Sequence, residues 1–183
     1  GPGYGGSCFP KDTAAVVTLA RQAGCDLKVI RAVIEVNDDQ PGRMVEKVRE
    51  VMPESRGKVA AVLGLSFKPN TDDIRESPAL KVIAGLQRLG LRVRAYDPIA
   101  MDNARQVLDG VTFCTDEYDA ATGSDVLVLA TEWNQFRALD LEKLKSLMNR
   151  PCVVDLRNIY EPRDMERLGY VYRCVGRRAV DPA

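Results

Sequence analysis

The apolar positions of this chain fall into two regimes. Between residues 27 and 51, Leu27, Ile30, Val33, Ile34, Met44, Val45, Val48 and Val51 recur at intervals of three and four, with Asn37 on the same line. That spacing sets one stripe along a helix of several turns. Arg31, Glu35, Arg43, Glu46, Lys47 and Arg49 fill positions between them, so a single face is available for burial. Pro41-Gly42 falls inside the stripe. Proline removes the amide that would bond the Asn37 carbonyl, which predicts a kink there, or a restart capped by Asp38 or Asp39. The stripe suits either the cover of the domain that follows or a contact with a second subunit. Ahead of it, residues 12–23 read as a short helix closed by Gly24.

Beyond the turn-rich Pro53-Glu54-Ser55-Arg56-Gly57, short apolar runs alternate with helical segments. Strands are predicted over 59–65, 91–96, 111–114, 125–131, 152–155 and 170–174. Ser77-Pro78 is expected to cap a helix running to about Leu89, with Gly90 after it, and further helices are expected near 101–108, 116–121, 141–148 and 162–168. Strands that are continuously apolar and alternate with helices argue for an α/β fold. The expected architecture is a Rossmann-like, mostly parallel sheet with helices on both faces, preceded by a long helix. The chain then divides into a cysteine-bearing loop and short helix (1–24), a long connecting helix (25–55) and a Rossmann-like domain (56–183). Such sheets bind ligands at the carboxyl ends of their strands.

Charge and composition narrow the function. Lysine plus arginine equals aspartate plus glutamate, 26 each, which gives no basis for a nucleic-acid partner. No apolar run approaches the ~20 residues that span a bilayer, and no charged, apolar, small-residue leader opens the sequence, so a cytoplasmic protein without membrane contact is expected. Five cysteines form no C-x-x-C pair, and histidine is absent. A metal site is therefore not expected, the thiols should be free, and any nucleophilic cysteine must act without a histidine partner.

The candidate chemistry begins at Gly1-Pro2-Gly3-Tyr4-Gly5-Gly6-Ser7-Cys8-Phe9-Pro10-Lys11-Asp12. A cysteine after a glycine-rich loop and just before a proline-led helix sits where unsatisfied N–H groups and the helix dipole favour a thiolate, and Lys11 adds a cation. Gly3, Gly5 and Gly6 remove the β-carbons that would keep a ligand from the backbone. The other reading of Cys8 is a buried structural thiol beside a flexible loop. Three strand ends are also polar. Phe67-Lys68-Pro69-Asn70-Thr71-Asp72-Asp73-Ile74-Arg75-Glu76-Ser77 follows the first strand, but Gly64 stands alone where G-x-G-x-x-G would mark a dinucleotide turn. Asp97-Pro98 follows the second strand, either as a plain turn or as a ribose-binding carboxylate. Asp155-Leu156-Arg157-Asn158 follows the fifth, and Thr131-Glu132-Trp133 reads as packing or subunit contact.

G-x-G-Y-G-G-S-C-F-P-K-D resembles the active-site signature of the nucleotide-sugar 6-dehydrogenases, and its Gly3-Tyr4 and Phe9 variants are similar to the UDP-glucose branch. F-K-P-N-T-D-D-x-R-E-S resembles that family's second signature. The resemblance implies oxidation of a sugar CH2OH to a carboxylate in two NAD-dependent steps, taking UDP-glucose to UDP-glucuronate, with Cys8 as covalent nucleophile. Asp12 would orient the hydrolytic water or a lysine, or else serve as a helix-dipole partner. The implied substrate contacts are Gly1, Gly3, Tyr4, Gly5, Phe67, Lys68 and Arg157, and the implied NAD contacts are Cys8, Lys11 and Arg75. It also implies pairing of the long helix across a dimer axis, and an amino-terminal NAD-binding domain ahead of Gly1, without which this chain is expected to be inactive. Another nucleotide-sugar dehydrogenase, acting on GDP-mannose or a UDP-N-acetyl sugar, and a non-catalytic UDP-binding dimerisation module are the alternatives.

Overall fold

The computed structural model describes residues 1–182. Two helices, α1 (Phe9–Gln22) and α2 (Lys28–Val51), lead into the strands β1 (Val59–Leu63), β2 (Arg92–Tyr96), β3 (Val111–Phe113), β4 (Val126–Leu129), β5 (Cys152–Asp155) and β6 (Val171–Cys174). The helices between them are α3 (Pro78–Arg88), α4 (Met101–Arg105), α5 (Glu117–Ala121), α6 (Asn134–Arg137), α7 (Leu141–Leu147) and α8 (Pro162–Arg167). The six strands form one parallel sheet in the order β3-β2-β1-β4-β5-β6, with Leu63 opposite Tyr96 on one side and Leu129 on the other. This is the doubly wound order, and the winding reverses between β1 and β4. β1, β4 and β5 are buried at every position, as strands covered on both faces must be.

One face of the sheet, presenting Ala60, Val62, Val128 and Val154, packs with Met44 and Val48 of α2 and with Val82, Ile83 and Leu86 of α3. The opposite face, through Leu63, Leu127, Leu129 and Val153, meets Ala121, Leu144, Met165 and Tyr170. Each buried Val, Leu or Ile stabilises the fold by about 1.5–3 kcal/mol relative to exposure. α2 and α3 approach closely because position 85 is glycine: a Cβ there would lie 2.4 Å from Val45 Cγ2.

Three local expectations change. The long helix neither breaks nor restarts at Pro41, which lies inside a continuous α2, while Asp38 and Asp39 are exposed and cap nothing. Ser77 precedes α3 but makes no side-chain cap; its hydroxyl donates to Leu65 O at 2.7 Å, tying the helix start back to the end of β1. β1 stops at Leu63 because Gly64 adopts φ +95°, where a Cβ would collide with Thr131 at 2.4 Å. The stripe on α2 also divides. Pro41, Met44, Val45, Val48 and Val51 belong to this chain's core, whereas Val29, Val33 and Val36 are 75%, 41% and 53% exposed. Among the described residues, no helix is long and apolar enough to cross a membrane.

Candidate functional site

The carboxyl ends of β1, β2, β4 and β5 converge around the reversal of winding, and two aspartates, Asp97 and Asp155, organise them. Asp97, at the end of β2, is fully buried. Its Oδ2 accepts from Leu65 N at 2.7 Å, Ser66 N and Ser66 Oγ at 3.1 Å each, and Trp133 Nε1 at 3.3 Å. Its Oδ1 accepts from Ile99 N at 3.0 Å and Ala100 N at 2.8 Å. A carboxylate saturated in this way has no acceptor left for a ribose hydroxyl. Asp97 is therefore the turn residue rather than the ribose carboxylate, and it also pins Trp133, which accounts for the packing role of that segment. Asp155 does the same at β5: Arg157 N at 2.9 Å reaches Oδ1, while Ile159 N and the Tyr172 hydroxyl, both at 2.8 Å, reach Oδ2.

That turn aims Arg157 back across the strand ends. Its Nε donates to Ala130 O at 2.8 Å and lies 2.9 Å from Glu132 Oε2, and Nη2 donates to Phe67 O at 3.3 Å. The side chain is 16% exposed. Burial lowers the pKa of this guanidinium, and the charge of Glu132 opposes the shift. Of its five N–H groups, those on Nη1 remain without a partner among the described residues, beside Gly1, whose β-position is 3.6 Å from Nη1.

The cysteine-bearing loop lies over this rim. Gly6 N donates to Arg75 O at 2.9 Å, and added β-carbons at Gly5 and Gly6 would fall 2.3 Å from Glu76 O and 2.8 Å from the Phe67 ring. At Gly3 the same test meets Asn37 Oδ1 at 2.8 Å. The glycines thus let the loop approach its own chain; the space expected to admit a ligand at these β-positions is filled by Asn37, Glu76 and Phe67. Asn37 grips the loop further, accepting from Tyr4 N at 2.7 Å and donating to Tyr4 O at 3.3 Å, and Gln40 donates to Gly1 O at 3.0 Å. The Tyr4 ring stacks obliquely on Phe9 at 5.2 Å.

Cys8 emerges as the residue before α1 and is exposed, so the buried-thiol reading is set aside. Its Sγ lies 3.7 Å from Ser7 Oγ. Cys25 is also exposed, while Cys114, Cys152 and Cys174 are buried, and burial pushes the Cys152 thiol up to about 11. Lys11 and Asp12 pair with each other at 2.6 Å in open solvent, and that hydrogen bond raises the Lys11 pKa. Arg75 is held through Nε at 3.0 Å and Nη2 at 2.7 Å by Asp73, whose carboxyl is drawn below its usual range by those bonds. Nη1 of Arg75 faces no partner among the described residues. Ser7, Lys11 and Arg75 line one cleft of about 610 Å3 with Tyr4, Asn37 and Glu76. Lys68 is exposed, its ammonium 5.3 Å over the Phe67 ring. No cluster of metal-ligating side chains occurs among the described residues.

The structure brings Gly1, Phe67 and Arg157 together at the strand ends, holds Gly3 and Tyr4 against Asn37 of α2 and Gly5 against Glu76, leaves Lys68 exposed over the Phe67 ring, and sets Cys8, Lys11, Asp12 and Arg75 at the outer margin. Sequence reasoning assigned no site role to Asn37, placed on the α2 stripe, or to Glu132, read with its neighbours as packing or subunit contact. Asn37 occupied an apolar stripe position, a polar residue out of pattern, whereas Glu132, three residues beyond the end of β4, carries no local signal of its pairing with Arg157.

A doubly wound parallel sheet with a cysteine-bearing glycine loop laid across its point of reversal defines the class of this protein. The chain belongs to the UDP-glucose/GDP-mannose dehydrogenase family: the family's UDP binding domain matches residues 61–162 and its central domain residues 1–39. It is 48% identical over 97% of its length to a UDP-glucose 6-dehydrogenase of Rhizobium meliloti and 44% identical over 98% to one of Bacillus subtilis. A solved UDP-glucose dehydrogenase from Pyrobaculum islandicum superposes with a TM-score of 0.82 at 37% identity, covering 94% of this chain. The chain spans 41% and 39% of the two curated relatives and 38% of the solved one.

Proposed function

We propose that this chain provides the nucleophile loop and the nucleotide-sugar-binding domain of a UDP-glucose 6-dehydrogenase, which converts UDP-glucose to UDP-glucuronate. The observation that carries the reading is the seating of the Cys8 loop on the strand ends, fixed by Gly6 to Arg75 and by Tyr4 to Asn37. A thiol anchored in this way stays in register with a sugar whose diphosphate is held deeper in the rim. Arg157 and Lys68 supply the cations for that diphosphate, and Phe67 supplies an apolar wall.

When bound, NAD would supply the oxidising power for the two hydride losses at C6 of the glucose. This chain's own sheet does not fit a dinucleotide, because it lacks the glycine fingerprint and Asp97 is saturated. The outer margin does fit one end of it: Arg75 is an exposed cation already oriented by Asp73, and Ser7, next in the chain to Cys8, and Lys11 line the same cleft. After the first oxidation gives the C6 aldehyde, Cys8 Sγ adds to it as a thiohemiacetal. The second oxidation leaves a thioester, and water hydrolyses it to the carboxylate and free thiol. A thiolate suits both of its roles, as nucleophile toward the aldehyde and as leaving group from the thioester, without a histidine base. Asp12, one turn into α1, helps to place the attacking water, and its bond to Lys11 fixes its direction. Most of the NAD contacts come from a dinucleotide-binding domain of the longer protein, and pairing of α2 with its mate about a two-fold axis completes a cytoplasmic dimer.

The test is NADH formation by the longer enzyme that carries this chain. Two NADH per UDP-glucose are expected, with little turnover of GDP-mannose, and Cys8→Ala is expected to abolish UDP-glucuronate release. The chain of residues 1–183 alone should bind UDP-glucose without reducing NAD. Preference for GDP-mannose, or full turnover by the Cys8→Ala variant, would overturn the assignment.

A further inference from the structure

Glu132 carries a polar atom that the fold does not explain. The residue follows the end of β4, and its Oε2 is buried without a hydrogen-bond partner among the described residues. Arg157 Nε stands 2.9 Å away, yet its N–H is directed to Ala130 O, so the carboxylate and guanidinium meet as charges rather than through a linear hydrogen bond. An anionic oxygen shielded from water is costly unless a cation remains beside it. Glu132 contributes nothing to the polar organisation of the rim, which Asp97 and Asp155 supply. Its neighbours Thr131 and Trp133 have their partners elsewhere, in Ser66 O and Asp97.

We infer that Glu132 is a positioning residue: it holds the Arg157 guanidinium in one orientation across the strand ends, with Nη1 free for the diphosphate of the nucleotide sugar. Ala130 O and Phe67 O each take one N–H, but both are neutral acceptors and both lie on the strand-end side. The charge of Glu132 keeps the guanidinium fork in this plane when no ligand is bound, so less rotamer freedom is lost when the anion arrives. The pair is neutral overall, so attraction for the diphosphate is local to the unpaired N–H groups rather than a long-range field.

This inference rests on the assignment of Arg157 to nucleotide-sugar binding, and a double-mutant cycle separates the two. The longer enzyme is assayed with UDP-glucose as Arg157→Ala, Glu132→Ala and the double variant. Glu132→Ala is expected to raise KM roughly tenfold, the range of one charge-assisted contact, while kcat falls far less. In the Arg157→Ala background, removing Glu132 should produce no further rise in KM. A tenfold rise that persists in that background would mean that Glu132 acts without Arg157 and would overturn the inference. So would a lowered thermal midpoint with unchanged KM, the mark of a purely structural pair. If Arg157→Ala itself leaves KM unchanged, the binding role of Arg157 falls instead. Should Glu132→Ala fail to fold, Glu132→Gln keeps the volume and removes the charge. Its KM is expected to rise in the same direction, and an unchanged value would again refute the positioning role.

Discussion

Asp97 shows how one residue type at one position carries two different meanings. At the end of the second strand of a doubly wound sheet, a carboxylate binds ribose when its oxygens face the crevice. Here both oxygens turn inward and hold the start of the loop after β1, the turn before α4 and the Trp133 indole. The loop that carries Phe67 and Lys68 is therefore anchored at its root by a group with no ligand role. Asp97→Asn keeps the shape but replaces one oxygen with an amide that meets N–H donors head-on. A loss of roughly 3 kcal/mol in unfolding free energy is expected, since at least one buried donor goes unsatisfied and the charge that strengthened the rest is gone. Urea unfolding of residues 1–183 measures it. A change below about 0.5 kcal/mol, typical of surface sites, would mean that the backbone amides find other acceptors.

At the scale of elements, the strands were legible because β1, β4 and β5 are covered on both faces and so read as unbroken apolar runs. Their ends were not, because Gly64 and Ser77 act through contacts distant in sequence, with Thr131 and Leu65. Of the two outcomes expected at Pro41, a kink or a capped restart, the restart does not occur: packing of Met44, Val45 and Val48 on the sheet and α3 carries α2 through the missing amide as one helix. Among the site residues, Cys8 and the glycines were visible as a local pattern. The Glu132–Arg157 pair joins the ends of two strands and has no local pattern at all. The contact of α2 with α3 gives the next prediction. Gly85→Ala places a methyl 2.4 Å from Val45 Cγ2, and valine is stiff at χ1, so the helices must separate. An expected cost of about 1–3 kcal/mol follows from overpacking. Val45→Ala in the same chain should recover part of it, and an additive double variant would show that the two side chains do not share the strain.

For the whole molecule, the division of the α2 stripe decides which surface is left for a partner. Val45 is 8% exposed and Val48 is fully buried, so this end of the helix is committed to its own domain. Val29, Val33 and Val36 instead line an apolar groove of about 530 Å3 together with Gly1, Gly3 and Tyr4. A second copy of the same helix offers the same side chains, and a two-fold arrangement buries both sets with one set of contacts. A stable pair needs about 800 Å2 from each partner, more than three valines supply, so the proposed interface would have to extend over the neighbouring loop and α1, where Val16 and Leu19 are exposed. In the proposed dimer this would place the Cys8 loop at the border of the interface. Val33→Glu with Val36→Glu is expected to give a folded monomer by light scattering, with circular dichroism unchanged. Val45→Glu, by contrast, is expected to unfold the chain, because it buries a charge with no partner between α2 and α3. If the unmodified chain is monomeric at high micromolar concentration, α2 does not form the dimer contact and the exposed valines require another cover.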